Sequence, residues 1–280
     1  MKKRGMRSVI YLLLVGLLLI SSVISCTSPT AQNPEVQGTN KTGDPQTDTP
    51  ITDKPTQSNT IPGNNAPTLL VSEAYANYTN VKSEVVSKLM DGLSSNDATA
   101  MQSMSLLGVV MVDLTFLPVA YFGLGQETVV AGMSFLGMEG VTYSENGNTY
   151  SIKYNTEEGD TFVVGGTYDP IADALVTTGS QNGSENIYSE YHKTPFGYVG
   201  QYFLTSEDGG SYLYQIAISG TDGVIGTSTV SSKPTALSGN ESADFPKSCD
   251  EWYAINGSTI SGKTSDGTAF NFEYVPSPSE

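Results

Sequence analysis

Two cysteines and one histidine are the only side chains of their kinds in 280 residues, so thiol and imidazole chemistry has few places to reside. A Cys249–His192 pair is the sharpest catalytic arrangement, because a thiol becomes a nucleophile when a base lies within hydrogen-bond reach. The run Lys247-Ser248-Cys249-Asp250-Glu251-Trp252 matches no nucleophile motif, and the two acids beside Cys249 oppose thiolate formation by like-charge repulsion. His192 falls in a predicted strand over 188–193, where an imidazole needs no catalytic role. If Cys26 is otherwise taken up, Cys249 and the sole histidine, His192, cannot supply a Cys/His zinc site. Paired carboxylates serve glycoside hydrolysis, but the acids here collect at turns such as Glu157-Glu158-Gly159-Asp160 and Glu207-Asp208, where turn chemistry accounts for them. No DxDxDG calcium loop, GxSxG, HExxH or phosphate loop occurs. The expectation is a non-enzymatic chain with no cofactor and no metal.

Cys26 is different, because the elements around it define a chemistry. Lys2, Lys3, Arg4 and Arg7 form a basic start, and an apolar run follows from Val9 to Ile20. That order is the pattern of a secretory signal peptide. The segment closes Val23-Ile24-Ser25-Cys26, which resembles the lipobox of bacterial lipoproteins: an aliphatic residue, a small residue, then cysteine. The resemblance covers residues 1–26. It implies that the Cys26 thiol takes a diacylglycerol and that the Ser25–Cys26 bond is then cut. A lipoprotein with two or more acyl chains, palmitate among them, is stably held on a bilayer where one chain is marginal. The expected location is the extracytoplasmic side of the cell membrane, or the outer membrane where the envelope has one. The competing reading is an uncleaved anchor helix, since the run from Val9 to Ile24 is nearly long enough to span.

Charge and composition fit export. All 29 acidic residues lie after Cys26 but only nine of the 13 basic ones do, leaving the chain from Cys26 near −20. Such an acidic protein repels nucleic acid, and no nucleic-acid partner is expected. With Cys26 lipidated, Cys249 has no disulfide partner within the chain, so the fold must rest on its own core. Residues 26–67 read as a lipidated, disordered linker rich in Thr and Pro, with half of the 14 prolines and few aliphatic side chains. As a coil it would span about 35 Å.

Residues 68–280 suit one domain. Val71, Ala74, Tyr75, Tyr78, Val81, Val85, Leu89 and Leu93 recur at three- and four-residue steps and predict a helix over 68–93. From Met104 to Leu124 nearly every residue is apolar, the main exceptions being Ser105, Asp113 and Thr115. A helix apolar all round is buried in protein or in lipid. Three readings compete: a core helix under a sheet, a membrane span, or the lining of a pocket for a lipid or other apolar ligand. Asp113, Pro118 and the absence of Lys or Arg between Lys88 and Lys153 weigh against a span. The lining residues would be Met104, Leu107, Met111, Leu114 and Phe116. All six methionines beyond the signal segment lie between Met90 and Met138, and flexible thioethers suit both gap filling and adaptable apolar contact. A third helix is expected near 126–136.

From 139 the period changes to two. Tyr150, Ile152 and Tyr154 share one parity, as do Tyr212, Tyr214, Ile216 and Ile218, and Phe270, Phe272 and Tyr274. Turn signals at Asn146-Gly147, Asp208-Gly209-Gly210, Asp222-Gly223, Asn256-Gly257 and Asp266-Gly267 divide about eleven strands over 139–275. Residues 233–249 lack alternation and read as a long loop. The fold class is α+β: helices over 68–137 packed on a strongly curved, half-barrel-like antiparallel meander. In outline this looks like the lipid-carrying lipoproteins of the LolA/LprG type, in which helices plug a half-barrel; the likeness is one of architecture, and no site residue is taken from it. The expected function is a membrane-anchored binding module for an apolar or lipid ligand. The alternative is a surface module that grips a protein or glycan through an outer face of strand tyrosines, 16 tyrosines being present in all.

Overall fold

Alternation with a period of two builds one sheet. The computed structural model describes residues 69–206 and 209–275, which fall within a single compact unit over 66–280. The signal segment, Ser25, Cys26 and the linker over 26–67 lie outside the described residues. Eleven strands run in chain order as an antiparallel meander, each paired with its sequence neighbours. They are β1 Glu139–Asn146, β2 Thr149–Asn155, β3 Thr161–Asp169, β4 Ala174–Gln181, β5 Ser184–Thr194, β6 Gly197–Thr205, β7 Ser211–Ser219, β8 Asp222–Thr229, β9 Glu251–Asn256, β10 Thr259–Lys263 and β11 Ala269–Glu273. Tight turns join most of them, and Gly147 and Gly257 take the positive φ that such turns require. The turn expected at Asp222-Gly223 is displaced. Ser219 pairs with Asp222, so Gly220-Thr221 makes the turn and Gly223 lies within β8. That glycine is needed for packing, because a Cβ there would lie 2.8 Å from the Val85 side chain and from the Ala217 carbonyl oxygen.

Among the described residues, three helices cover one face. The first, α1 Val71–Ser94, starts where the Leu70 N–H donates to the Glu73 carboxylate, 3.2 Å, tying down one of the free donors of the first turn. It crosses the strands rather than following them. Tyr78 stacks on Tyr191 of β5 with ring centroids 4.6 Å apart, Lys82 reaches Tyr202 of β6, Val85 meets Gly223 of β8, and Gly92 packs on Ile260 of β10. A helix advances about 5.4 Å per turn and strands lie about 4.8 Å apart, so each turn of a crossing helix meets roughly one new strand.

The apolar run over 104–124 does not form one helix. It divides into α2 Ser103–Thr115 and a 3-10 turn, Leu117–Tyr121. Pro118 has no N–H to give to the Leu114 carbonyl, and it disfavours helical backbone in the residue before it. Gly123 and Gly125, both at positive φ, then redirect the chain into α3 Gln126–Phe135. Among the described residues no helix is long and apolar enough to cross a membrane.

Among the described residues, the opposite face of the sheet is covered at its centre. After β8 the chain leaves as a strap over 231–249, reaches back to β5, and returns to enter β9. β2 is accordingly buried on alternate residues, whereas β5, β6, β7 and β8 carry buried residues of both parities.

Candidate functional site

The inward stripe of α1 contains a charge. Lys82 is fully buried, one turn beyond Tyr78, while Val81 sits beside the stripe and is only partly buried. Its ammonium donates to the Asp113 carboxylate of α2 and, at 2.7 Å, to the Tyr202 hydroxyl, which in turn donates to Tyr78 at 3.1 Å. The same ammonium lies 4.7 Å from the Tyr202 ring centroid and 5.2 Å from that of Tyr78, so both rings present their electron-rich faces to it. Burial pushes the Lys82 ammonium down from its ordinary value, and Asp113 partly restores it. Burial likewise raises the Asp113 carboxyl, with Lys82 opposing, and 28% of the Asp113 side chain remains exposed to moderate that rise. Asp113 also stands in the last turn of α2, where the helix dipole disfavours an anion. Lys82 is therefore the group that holds it there, and the pair fixes α2 against α1 and β6.

A second polar centre continues from the stacked tyrosines. The hydroxyls of Tyr191 and Tyr168 both donate to one oxygen of Asp173 at 3.3 Å, and Lys193 lies 3.5 Å from the other. Tyr154, buried without such a carboxylate, is pushed up to about 12 by desolvation. The strand tyrosines thus turn toward the helices: Tyr150, Tyr154, Tyr168, Tyr191, Tyr202 and Tyr253 are all in the core. Tyr188 is on the other face, but it is buried too, with the Lys233 ammonium 3.7 Å from its ring centroid. Of the strand tyrosines, Tyr212 is the one strongly exposed.

The strap covers a ladder of polar side chains. Glu190, Gln201, Gln215 and Gly226 are directly opposite one another on β5 to β8. One Glu190 oxygen accepts from the Gln201 amide and, at 2.9 Å, from the Leu237 N–H; the Gln201 amide also donates to the Thr235 carbonyl at 2.8 Å. The other Glu190 oxygen lies 3.7 Å from His192 Nε2. Burial alone would raise the Glu190 carboxyl, but the nearby His192 and the hydrogen bonds from Leu237 and Gln201 hold it below its ordinary value. Cys249 closes the ladder by donating to the Gln215 amide oxygen at 3.3 Å. It lies over Gly226 of β8, three strands from His192 on β5, a separation of about 14 Å at the usual strand spacing. Cys249 and His192 are not brought together. Burial raises the Cys249 thiol, and only 3% of the residue is exposed.

The remaining sequence candidates divide between two faces of α2. Leu106, Val109, Val112 and Phe116 are buried, and the Phe116 ring packs on Tyr202 with centroids 6.1 Å apart. Gly108 lets α2 approach the sheet, since a Cβ there would overlap the Tyr214 hydroxyl. Of the proposed lining residues only Phe116 is in this inner set. Met104 is 59% exposed, and Leu107, Met111 and Leu114 are half-buried. With Met101, 78% exposed in the turn leading into α2, they recur every three or four residues and form one outward stripe. No charged residue occurs from Ala98 through Val112. An open polar cleft of about 320 Å³ lies elsewhere, at the β4–β5 turn, lined by Gln181, Asn182, Ser184, Glu185, Asn186, Thr205 and Ser206.

Sequence reasoning missed Lys82, because a lone lysine beside an apolar stripe reads as its solvent edge. The available signal was Asp113, a single charge in an apolar run that needs a partner. No family model, curated protein or solved structure matches the chain.

Proposed function

We propose that this protein is a lipid-anchored, non-enzymatic binding module on the extracytoplasmic side of the membrane, and that it binds apolar ligands or partners through the outward face of α2. The carrying observation is that stripe: Met101 and Met104 exposed, Leu107, Met111 and Leu114 half-buried, and no charge from Ala98 through Val112. Water contact with large apolar side chains costs about 25 cal/mol per Å², and unbranched thioethers adapt to ligands of varied shape. The Lys82–Asp113 pair and Gly108 hold the inner face of the helix to the sheet, so its outer face is presented as a fixed surface. The lipid anchor rests on the lipobox-like Val23-Ile24-Ser25-Cys26.

In this reading the sheet curls around the helices as in the LolA/LprG-type carriers, but the apolar contact surface is the outside of the helix layer rather than a cavity beneath it. The tyrosine-face alternative loses its basis, because most strand tyrosines point to the core. The test uses Nile red, a neutral apolar dye, with a chain that begins at Thr27, lacking Cys26 and the apolar signal segment, purified without detergent. Saturable fluorescence is expected, and the Met101→Asp/Met104→Asp variant should weaken binding by about tenfold or more. Equal binding by the variant would contradict the assignment.

A further inference from the structure

We infer that the occupant of the α2 stripe is the bilayer that carries the anchor, with neutral headgroups favoured over anionic ones. The inference rests on the proposed lipidation of Cys26 and deepens the reading of the stripe as an apolar contact surface. Three observations converge on it.

The first is geometry. Met101, Met104, Leu107, Met111 and Leu114 lie along one side of a single helix and its leading turn, and exposure rises toward the Met101 end. Such a one-sided stripe suits shallow insertion at an interface, to a depth of about 5–10 Å, rather than enclosure of a ligand.

The second is charge. Peripheral helices that bind anionic lipid carry Lys and Arg around the apolar side. This chain has neither between Lys88 and Lys153, and from Cys26 onward its net charge is near −20. Anionic headgroups would repel it, and only apolar contact with a neutral surface remains favourable.

The third is the chain outside the described residues. Forty-two residues separate Cys26 from Leu69, the first described residue. A connection of that length leaves the domain within reach of its own bilayer. It raises the effective concentration of that surface to the millimolar range, so that burying a few Met and Leu side chains is enough. Leu69 and Leu70, both exposed, mark where that connection enters α1.

Methionine oxidation by dilute peroxide, read by mass spectrometry, tests this on the lipidated full-length product reconstituted in phosphatidylcholine vesicles. A chain that begins at Thr27, and so lacks both Cys26 and the apolar signal segment, is the comparison free in solution. Met133, fully buried, is the internal control. Met101 and Met104 are expected to oxidise at least fivefold more slowly on vesicles than in solution, with Met133 unchanged, and the protection is expected to shrink in phosphatidylglycerol vesicles. Equal oxidation of Met101 and Met104 in both settings, with the acyl mass present on Cys26 and Nile red still bound, would overturn the inference while leaving the apolar surface standing. Concentration-dependent protection of the chain that begins at Thr27 would overturn it in favour of a second copy. A chain with no acyl mass on Cys26 would remove the tether, and the inference with it.

Discussion

At the scale of single residues, the buried Lys82–Asp113 pair decides how α2 sits. Removing one partner leaves an uncompensated charge in the core, whereas removing both can be nearly neutral. Asp113→Ala strands the fully buried Lys82 and is expected to cost about 3–5 kcal/mol. The Lys82→Met/Asp113→Leu variant should recover most of that loss in urea denaturation. Additive losses from the two sites would mean that the pair does not act as a unit. The pair also marks a limit of sequence reading. Periodicity placed Val81 in the inward stripe, but the inward position is Lys82, and its burial depends on Asp113 and Tyr202, 31 and 120 residues away in the chain. No local pattern reports such a partner.

At the scale of elements, the strands were the most legible part, because side chains that alternate across a half-buried sheet leave a two-residue period in the sequence. Parity did not reveal which face was covered. Glu190 and Gln201 share the parity opposite to Tyr191 and Tyr202, which reads as the wet face, yet both are buried under the strap. The strap has no periodicity, so its position follows from tertiary contacts alone. The apolar run over 104–124 was misleading for a related reason: its composition reads as continuous, but Pro118 and the glycines that follow break it. Of its candidate lining residues, Phe116 is core and Met104 is surface. The strap is testable through Gly226, where a Cβ would overlap the Pro246 carbonyl and lie 2.8 Å from Cys249 Sγ. Gly226→Ala should lift the strap and expose the thiol. In a Cys26→Ser background, Cys249 is expected to react with a disulfide reagent at least tenfold faster in the Gly226→Ala variant. An unchanged rate would mean that the strap does not shield it.

At the scale of the whole molecule, the parts have a division of labour. A large antiparallel sheet supplies a rigid platform, with strands whose pairs are all sequence neighbours. The helix layer is fixed to it by tyrosines and a buried ion pair, and α2 keeps an uncharged apolar stripe outward in a strongly acidic chain. In the proposed account, Cys26 makes that stripe useful, because tethering to a surface turns a weak apolar contact into an effective one. The chemistry of that cysteine therefore comes first. The most direct test is the intact mass of the protein extracted from membranes of a lipoprotein-processing bacterium. The expected product is a chain that begins at Cys26 and carries a diacylglycerol on its sulfur, with the acyl mass lost in the Cys26→Ser variant. A chain that retains residues 1–25 with an unmodified Cys26 would contradict it.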